Sequence, residues 1–210
     1  MDIDISGRHF DVSSGLKDPE LFSALGEAFF REREWEDAEK IWSAAVRLYP
    51  GDVDVKLRLL DYFLQSARPE RAVALLDGPA TDPDAQLLRA HYDRKMGRFL
   101  SASKALSRVA MQTRGVKRSL AQWEEASLHF DCGRFKEFDR ATDQLLQSGF
   151  RVAEVYLLKA QAAIYRHDRE AAQRFLESAR QADPFALERQ NVRLGRAVSP
   201  ESGSRLARKE

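Results

Sequence analysis

Three side chains in the second half of the sequence have the types and the spacing that could bind a metal ion. Glu125, His129 and Cys132 are separated by four and three residues, which would place them on one face of a helix. Carboxylate, imidazole and thiolate groups are all zinc ligands, but a zinc site needs a fourth ligand or an open catalytic position. The sequence offers no second cluster of such residues, so we predict no metal site and no cofactor.

The motifs that accompany common enzyme chemistry are missing from the sequence. It contains no glycine-rich phosphate-binding loop, no nucleophile elbow and no HExxH zinc motif. The other histidines, His9, His91 and His167, are isolated in the sequence. We therefore predict that the protein is not an enzyme.

Charge is distributed unevenly along a chain whose net charge is only +1. Between Lys17 and Asp61 there are eleven acidic and seven basic residues, whereas nine basic residues and one acidic residue lie between Arg89 and Arg118. The basic stretch could attract an acidic protein or nucleic-acid phosphates, or it could be a solvated helix face with a basic loop. Its densest part contains Arg94, Lys95, Arg98, Lys104, Arg108, Arg114, Lys117 and Arg118.

Composition favours an all-α domain. Only 11 Gly and 7 Pro occur among 210 residues, too few for a loop-rich or all-β fold, and strong helix formers dominate long stretches. A single cysteine, Cys132, cannot form an internal disulfide, and the N-terminus lacks the pattern of a secretory signal. No apolar run approaches the eighteen residues of a membrane span. We predict a cytoplasmic protein that does not insert into membranes.

Landmark residues recur in the sequence at one fixed offset. Seven of them are matched by similar residues 134 residues later, which corresponds to four repeats of about 33 to 34 residues. The matched pairs are Phe22 and Tyr156, Gly26 and Ala160, Phe29 and Ala163, Ala38 and Ala172, Trp42 and Leu176, Ala45 and Ala179, and Pro50 and Pro184. An eighth pair, Leu25 and Lys159, is chemically mismatched. This period is typical of helix pairs that stack on one another.

Start and stop signals place these pairs along the chain. Residues 1–18 alternate apolar and polar residues around Gly7, which predicts an N-terminal arm with short-strand character. Asp18-Pro19-Glu20 begins a first helix that we expect to end near Arg31, and a second helix is predicted from about Trp35 to Leu48. Later pairs are expected to start near residues 53, 82, 120 and 153.

The first pair resembles the tetratricopeptide repeat family. That family's repeat has a large residue, a Leu-Gly step, an aromatic residue, small residues in the second helix and a closing proline. The matching positions here are Phe22, Leu25, Gly26, Phe29, Ala38, Trp42, Ala45 and Pro50, and the Gly-Arg-Phe steps at Gly97 and Gly133 resemble its turn between helices. The resemblance implies a right-handed α-solenoid of about five repeats over residues 19–184. A capping helix (185–197) and a disordered tail (198–210) would follow.

The same resemblance implies a scaffold that binds a peptide or helix of another protein in the groove lined by first helices. One subset of the family captures a chaperone's C-terminal carboxylate with a cationic clamp, which this sequence lacks. We predict contacts from Glu27, Arg31, Asp61, Gln86, Arg94 and Glu124, with Arg98, Arg114, Lys117 and Arg118 steering an acidic partner. The oligomeric state is not indicated.

An alternative function follows from the N-terminus and the basic stretch. Residues 1–17 resemble the first strand and helix entry of the ribosome hibernation-promoting factor family, through Ile5-Ser6-Gly7-Arg8-His9 and Leu16-Lys17. The rest of that family's small α/β domain is missing from the sequence. The alternative is therefore a nucleic-acid or ribosome-associated factor that uses the basic surface of residues 89–118.

Overall fold

A computed structural model describes residues 2–5, 8–11 and 19–185 of the chain. Within these ranges the protein consists of one two-stranded hairpin followed by ten α-helices, which confirms the all-α prediction for residues 19–185. The predicted capping helix, apart from Phe185, and the predicted tail lie outside the described residues.

The described elements follow one another in the order hairpin, then helices. The strands are β1 (Asp2–Ile5) and β2 (Arg8–Asp11). The helices are α1 (Pro19–Arg31), α2 (Trp35–Leu48), α3 (Val53–Gln65), α4 (Pro69–Ala74), α5 (Pro83–Lys95), α6 (Phe99–Gln112), α7 (Gly115–Asp131), α8 (Phe135–Gln147), α9 (Val152–Tyr165) and α10 (Arg169–Ala182). The chain divides into two compact units, with the boundary inside α8 between Ala141 and Thr142.

The N-terminal arm is extended where the alternating pattern predicted it. β1 and β2 pair in antiparallel register, with Ile3 opposite Phe10 and Ile5 opposite Arg8. The strand pattern was therefore correct, and the partner that β1 pairs with is the next strand of the same arm.

Two aspartates fix the starts of α3 and α5. The Asp52 carboxylate accepts hydrogen bonds from the backbone N–H groups of Asp54 and Val55, at 2.9 and 3.2 Å. Asp82 caps α5 in the same way, and Pro83 occupies the first helical position, where its missing N–H costs nothing. These starts agree with the predictions near residues 53 and 82.

The start of α7 was predicted wrongly. This helix begins at Gly115, not near Leu120, because extended backbone at Thr113 and Arg114 separates it from α6 by only two residues. Gly usually ends a helix, and no acidic residue occupies the first turn of α7. The sequence signals that mark the other starts are therefore absent here.

Six connections between described helices share one backbone geometry. In each, one residue has a positive φ and the next N–H donates to the carbonyl five residues before it, as from Glu34 to Phe29 at 2.9 Å and from Arg98 to Asp93 at 2.8 Å. The residues with positive φ are Arg33, Ala67, Gly97, Gly133, Gly149 and His167. The pattern is that of a Schellman turn, which satisfies carbonyls at a helix end.

In the core of the first unit, small alanine side chains leave room for larger apolar ones. Phe22, Ile41, Ala44, Ala45 and Val55 form a buried cluster between α1, α2 and α3. These side chains are the apolar stripes of successive helices, so the core holds each pair against the next.

The second unit buries the residue that breaks the sequence echo. Ala153, Leu157 and Ala179 form its core cluster. Lys159, the counterpart of Leu25, is buried, with its ammonium 2.7 Å from an Asp143 oxygen and 5.3 Å from the centre of the Phe175 ring. The aliphatic stem of lysine can replace leucine in packing while its charge reaches a carboxylate.

Candidate functional site

Three of the predicted contact residues meet where α3, α5 and α7 adjoin. Asp61 comes from α3, Arg94 from α5 and Glu124 from α7. His91 of α5 links them: its Nε2 atom is 3.0 Å from Asp61 Oδ1 and its Nδ1 atom is 2.9 Å from Glu124 Oε2. A histidine that is isolated in the sequence therefore lies at the centre of a charge cluster.

Further ion pairs extend this arrangement on both sides. Arg94 Nε lies 3.1 Å from Glu124 Oε2, and an Nη atom of Arg94 lies 2.6 Å from Asp131 Oδ2. Lys95 Nζ lies 3.0 Å from Asp61 Oδ1. We refer to Asp61, His91, Arg94, Lys95, Glu124 and Asp131 as the buried charge cluster. Cations and carboxylates alternate through it, so each charge has an opposite neighbour.

The protonation states within the buried charge cluster follow from this alternation. Burial alone would lower the pKa of His91, but the carboxylates of Glu124 and Asp61 outweigh it and raise the pKa to about 9. Burial alone would raise the pKa of Glu124, and the charges of His91 and Arg94 instead lower it to about 2. The pKa of Asp61 is also lowered, because the attraction of His91 and Lys95 exceeds the effect of burial. At neutral pH His91 is therefore protonated, and Asp61 and Glu124 are ionised.

The buried charge cluster joins the three helices; His91 and Glu124 at its centre are buried, whereas Lys95 and Asp131 at its two ends are exposed. Glu124 is only 3% exposed and His91 is also 3% exposed. Removing one member of such a buried set is costly because it leaves a charge without its counterion. Glu124 was predicted to contact a partner; the structure places it in the interior, where its carboxylate is engaged by His91 and Arg94.

The remaining first-helix residues also have partners within the chain. Glu27 forms an ion pair with Arg58 between α1 and α3. Arg31 donates to the Glu27 carbonyl at 3.3 Å, and Gln86 is buried and donates to the Ala80 carbonyl at 2.8 Å. Most of the first-helix residues that were predicted to contact a partner therefore make contacts within the chain instead.

Half of the densest part of the basic stretch is neutralised by other helices. Besides Arg94 and Lys95, Arg98 pairs with Asp93 at 2.8 Å, and Lys117 pairs with Asp84 of α5 at 2.8 Å. Apart from Asp93, these acids lie about 30 residues from their bases in the sequence, or more, so counting charges along the chain does not reveal them.

The other half remains on the surface. The side chains of Lys104, Arg108, Arg114 and Arg118 are exposed and form no ion pair with any residue that the structure describes. Three large apolar side chains on the same two helices are also exposed: Leu100 at 72%, Met111 at 79% and Val116 at 68%. We refer to these seven residues as the basic–apolar surface. Of the predicted site residues, it contains Arg114 and Arg118.

The possible metal ligands do not come together. Among the described residues, no group of three or more His, Cys, Asp or Glu side chains is placed to hold a metal ion. Cys132 follows the last residue of α7, and burial lowers the pKa of His129. Neither residue forms part of a second acidic or histidine cluster in the part of the chain described.

None of the described helices is both long enough and apolar enough to cross a membrane. Comparison of the chain with models of protein families, with curated proteins and with solved structures finds no match. Inferences about function therefore rest on the residues of this chain and their contacts.

Proposed function

We propose that the protein is a non-catalytic interaction module, a scaffold that binds another protein. The observation that carries this proposal is the exposure of Leu100, Met111 and Val116 within a strongly charged chain. Large apolar side chains that are exposed among basic residues mark sites of protein association. The proposal includes the arrangement of the helix pairs as a right-handed solenoid of about five repeats, which would present such surfaces on rigid elements.

Two surfaces could receive the partner, a peptide or a helix. The groove lined by first helices was the sequence-based expectation, but there His91 pairs with Asp61 and Glu124, and Arg94 pairs with Glu124. A guest would have to compete with these ion pairs. The basic–apolar surface has no such competition, because its charges are unpaired and its apolar groups are in water. It is therefore the preferred contact surface.

Cross-linking and affinity capture from the native cell would test the proposal. The double variant Leu100→Gln/Met111→Gln should lose partners that the unaltered protein captures. Val73→Gln, which alters an apolar residue of α4 that is 49% exposed, is the matched control and should keep them. Capture that is unchanged in the double variant but lost in Arg31→Glu would return the site to the first-helix groove. Capture that is unchanged in both would contradict the proposal.

The alternative, a nucleic-acid or ribosome-associated factor, is favoured by the four unpaired bases of the basic–apolar surface. Binding of a single-stranded RNA oligonucleotide should then fall steeply with salt, and Arg114→Glu/Arg118→Glu should weaken it. Lys117 should be left unaltered, since its pair with Asp84 is part of the fold. RNA retention that does not respond to the double reversal would eliminate the alternative.

A further inference from the structure

We infer that the basic–apolar surface is the docking site for an acidic amphipathic helix of a partner protein. This inference rests on the proposed function and specifies the chemistry of the guest. It assigns the contact to the outer face of α6 and the first turn of α7.

The spacing of residues along α6 matches the contact stripe of a helix. Leu100, Lys104, Ser107 and Met111 follow one another at intervals of four, three and four residues, so they lie on one face. Leu100 and Met111 are eleven residues apart, roughly 16 Å along the helix axis at the rise of an α-helix. A second helix lying along α6 could seat one apolar residue against each of them.

Charge around this stripe is of one sign. No acidic residue occurs between Arg94 and Trp123, so α6 and the first half of α7 carry only basic charges. The nearest acids, Asp84, Asp93 and Glu124, are already paired with Lys117, Arg98 and Arg94. The positive potential of Lys104, Arg108, Arg114 and Arg118 is thus left for an acidic guest to complement.

The apolar groups favour a protein helix over other anionic partners. Bases of single-stranded nucleic acid stack on exposed aromatic rings, and the large apolar residues exposed on α6 and α7 are Leu, Met and Val. Three such residues also give a smaller apolar face than a helix that lies in a membrane surface needs. Leucine and methionine do suit a groove-and-ridge contact between helices, where the flexible methionine adapts to its neighbour.

A labelled synthetic peptide would serve as the probe. It should be a helix of about 18 residues, with leucine at positions spaced four, three and four apart and glutamate beside them. A peptide of the same composition in scrambled order is its control. Fluorescence anisotropy with the full chain should show binding of the amphipathic peptide. The scrambled peptide should bind more weakly, by roughly tenfold or more.

Variants of the protein then test which groups carry the binding. Lys104→Glu/Arg108→Glu and Leu100→Gln/Met111→Gln should each weaken it, by roughly tenfold or more. Arg47→Glu/Lys136→Glu, which reverses two exposed bases on α2 and α8, should leave it unchanged. Circular dichroism confirms that each variant is folded before binding is measured.

Several outcomes would overturn the inference. They are failure of the amphipathic peptide to bind, equal binding of the scrambled peptide, or equal loss in the Arg47→Glu/Lys136→Glu control. Tighter binding of an RNA oligonucleotide or of anionic phospholipid vesicles through the same residues would assign the surface to that partner instead. If cellular partners are lost in Leu100→Gln/Met111→Gln but kept in Lys104→Glu/Arg108→Glu, the proposed function stands and the acidic-helix inference fails.

Discussion

At Gly26, the absence of a Cβ atom allows α1 to pack closely against the Trp42 ring of α2. A Cβ atom added at Gly26 would lie 2.3 Å from Nε1 of Trp42, far inside van der Waals contact. The indole is buried and donates from Nε1 to the Ser23 carbonyl at 3.4 Å, so the ring has little freedom to withdraw. The echoed positions hold Ala160 and Leu176, a larger residue opposite a smaller one. In the first helix pair a small residue, Gly26, faces a large one, Trp42, whereas the echoed positions hold two residues of intermediate size.

We predict that Gly26→Ala destabilises the protein although alanine is the better helix former. Overpacking should cost about 1–3 kcal/mol in the free energy of unfolding, more than the gain in helix propensity. Trp42→Leu removes the obstructing ring and leaves a cavity when made alone. In the double variant the alanine should fill part of that cavity, so the two changes together should cost less than their sum. A double-mutant cycle by urea denaturation measures the coupling, and additive costs would contradict the steric account.

At the scale of the residue, His91 also makes the stability of the fold decrease as the pH becomes alkaline. The pKa of His91 is about 9 in the folded protein, against 6.5 as its ordinary value. A raised pKa means that the folded state binds the proton more tightly than the unfolded chain. The resulting stabilisation is complete below pH 6.5 and is lost as the pH rises toward 9.

We therefore predict that the free energy of unfolding falls between pH 6.5 and 9. The loss attributable to His91 should be roughly 3 kcal/mol. His91→Gln should be less stable at pH 6.5 but should lack this part of the pH dependence. Urea denaturation of both proteins at several pH values is the measurement. Parallel curves for the two proteins would show that the imidazolium is not held by Asp61 and Glu124.

At the scale of elements, the six shared turns are closed by residues of unequal suitability. Gly97 and Gly133 adopt φ values of 75° and 67° without a steric cost, whereas Arg33, Ala67 and His167 adopt similar values with a side chain. A residue other than glycine is disfavoured in this left-handed region because its Cβ approaches the following carbonyl oxygen. The same turn is therefore strained in three places and relaxed in three, the third relaxed turn being that of Gly149, whose φ is 70°.

We predict opposite effects for exchanges between Gly and Ala at these turns. Ala67→Gly should stabilise the protein by roughly 0.5–1 kcal/mol, and Gly97→Ala should destabilise it by a similar amount. No atom lies within 4 Å of a Cβ added at Gly97, so its cost would come from the backbone alone. Gly51→Ala is the control, because that site is equally open and its φ is not in the left-handed region. Thermal unfolding that shifts equally in Gly97→Ala and Gly51→Ala would exclude the turn as the cause.

Local signals explain which elements the sequence could predict. α1 and α2 have the predicted bounds because Pro19, Pro50 and Gly51 mark where helices begin and end. The start of α7 was missed because Arg114, which occupies the capping position, makes no side-chain hydrogen bond there and is followed by Gly115. Helix propensity and the residues that mark helix ends are local properties. A prediction based on them fails where a helix begins without such residues.

The candidate site was less predictable because it depends on contacts between distant residues. Asp61 and Glu124 were singled out in the sequence, but His91, which joins them, was not. Their pairing requires the relative register of α3, α5 and α7, which no local pattern specifies. Arg114 and Arg118 were identified as basic, whereas their freedom from ion pairs follows only from the positions of acids on other helices.

At the scale of the whole molecule, a net charge of +1 conceals two kinds of basic residue. Arg94 and Lys95 lie against Glu124, Asp131 and Asp61, where they hold helices together. Lys104 and Arg108 are exposed on α6 and form no ion pair with any described residue. Ion pairs that bridge elements contribute to folding, while like charges on an open face repel one another weakly.

Charge reversal should separate the two kinds, since Arg94→Glu/Lys95→Glu and Lys104→Glu/Arg108→Glu change the net charge equally. The first variant places carboxylates beside Glu124 and Asp61 in a largely buried site, so we expect it to lose more than about 3 kcal/mol of the free energy of unfolding. The second relieves repulsion on an exposed face and should stay within roughly 0.5 kcal/mol per substitution. Thermal and urea denaturation measure both. Equal destabilisation would mean that the bases of α6 also serve the fold, and the surface would then not be free for a partner.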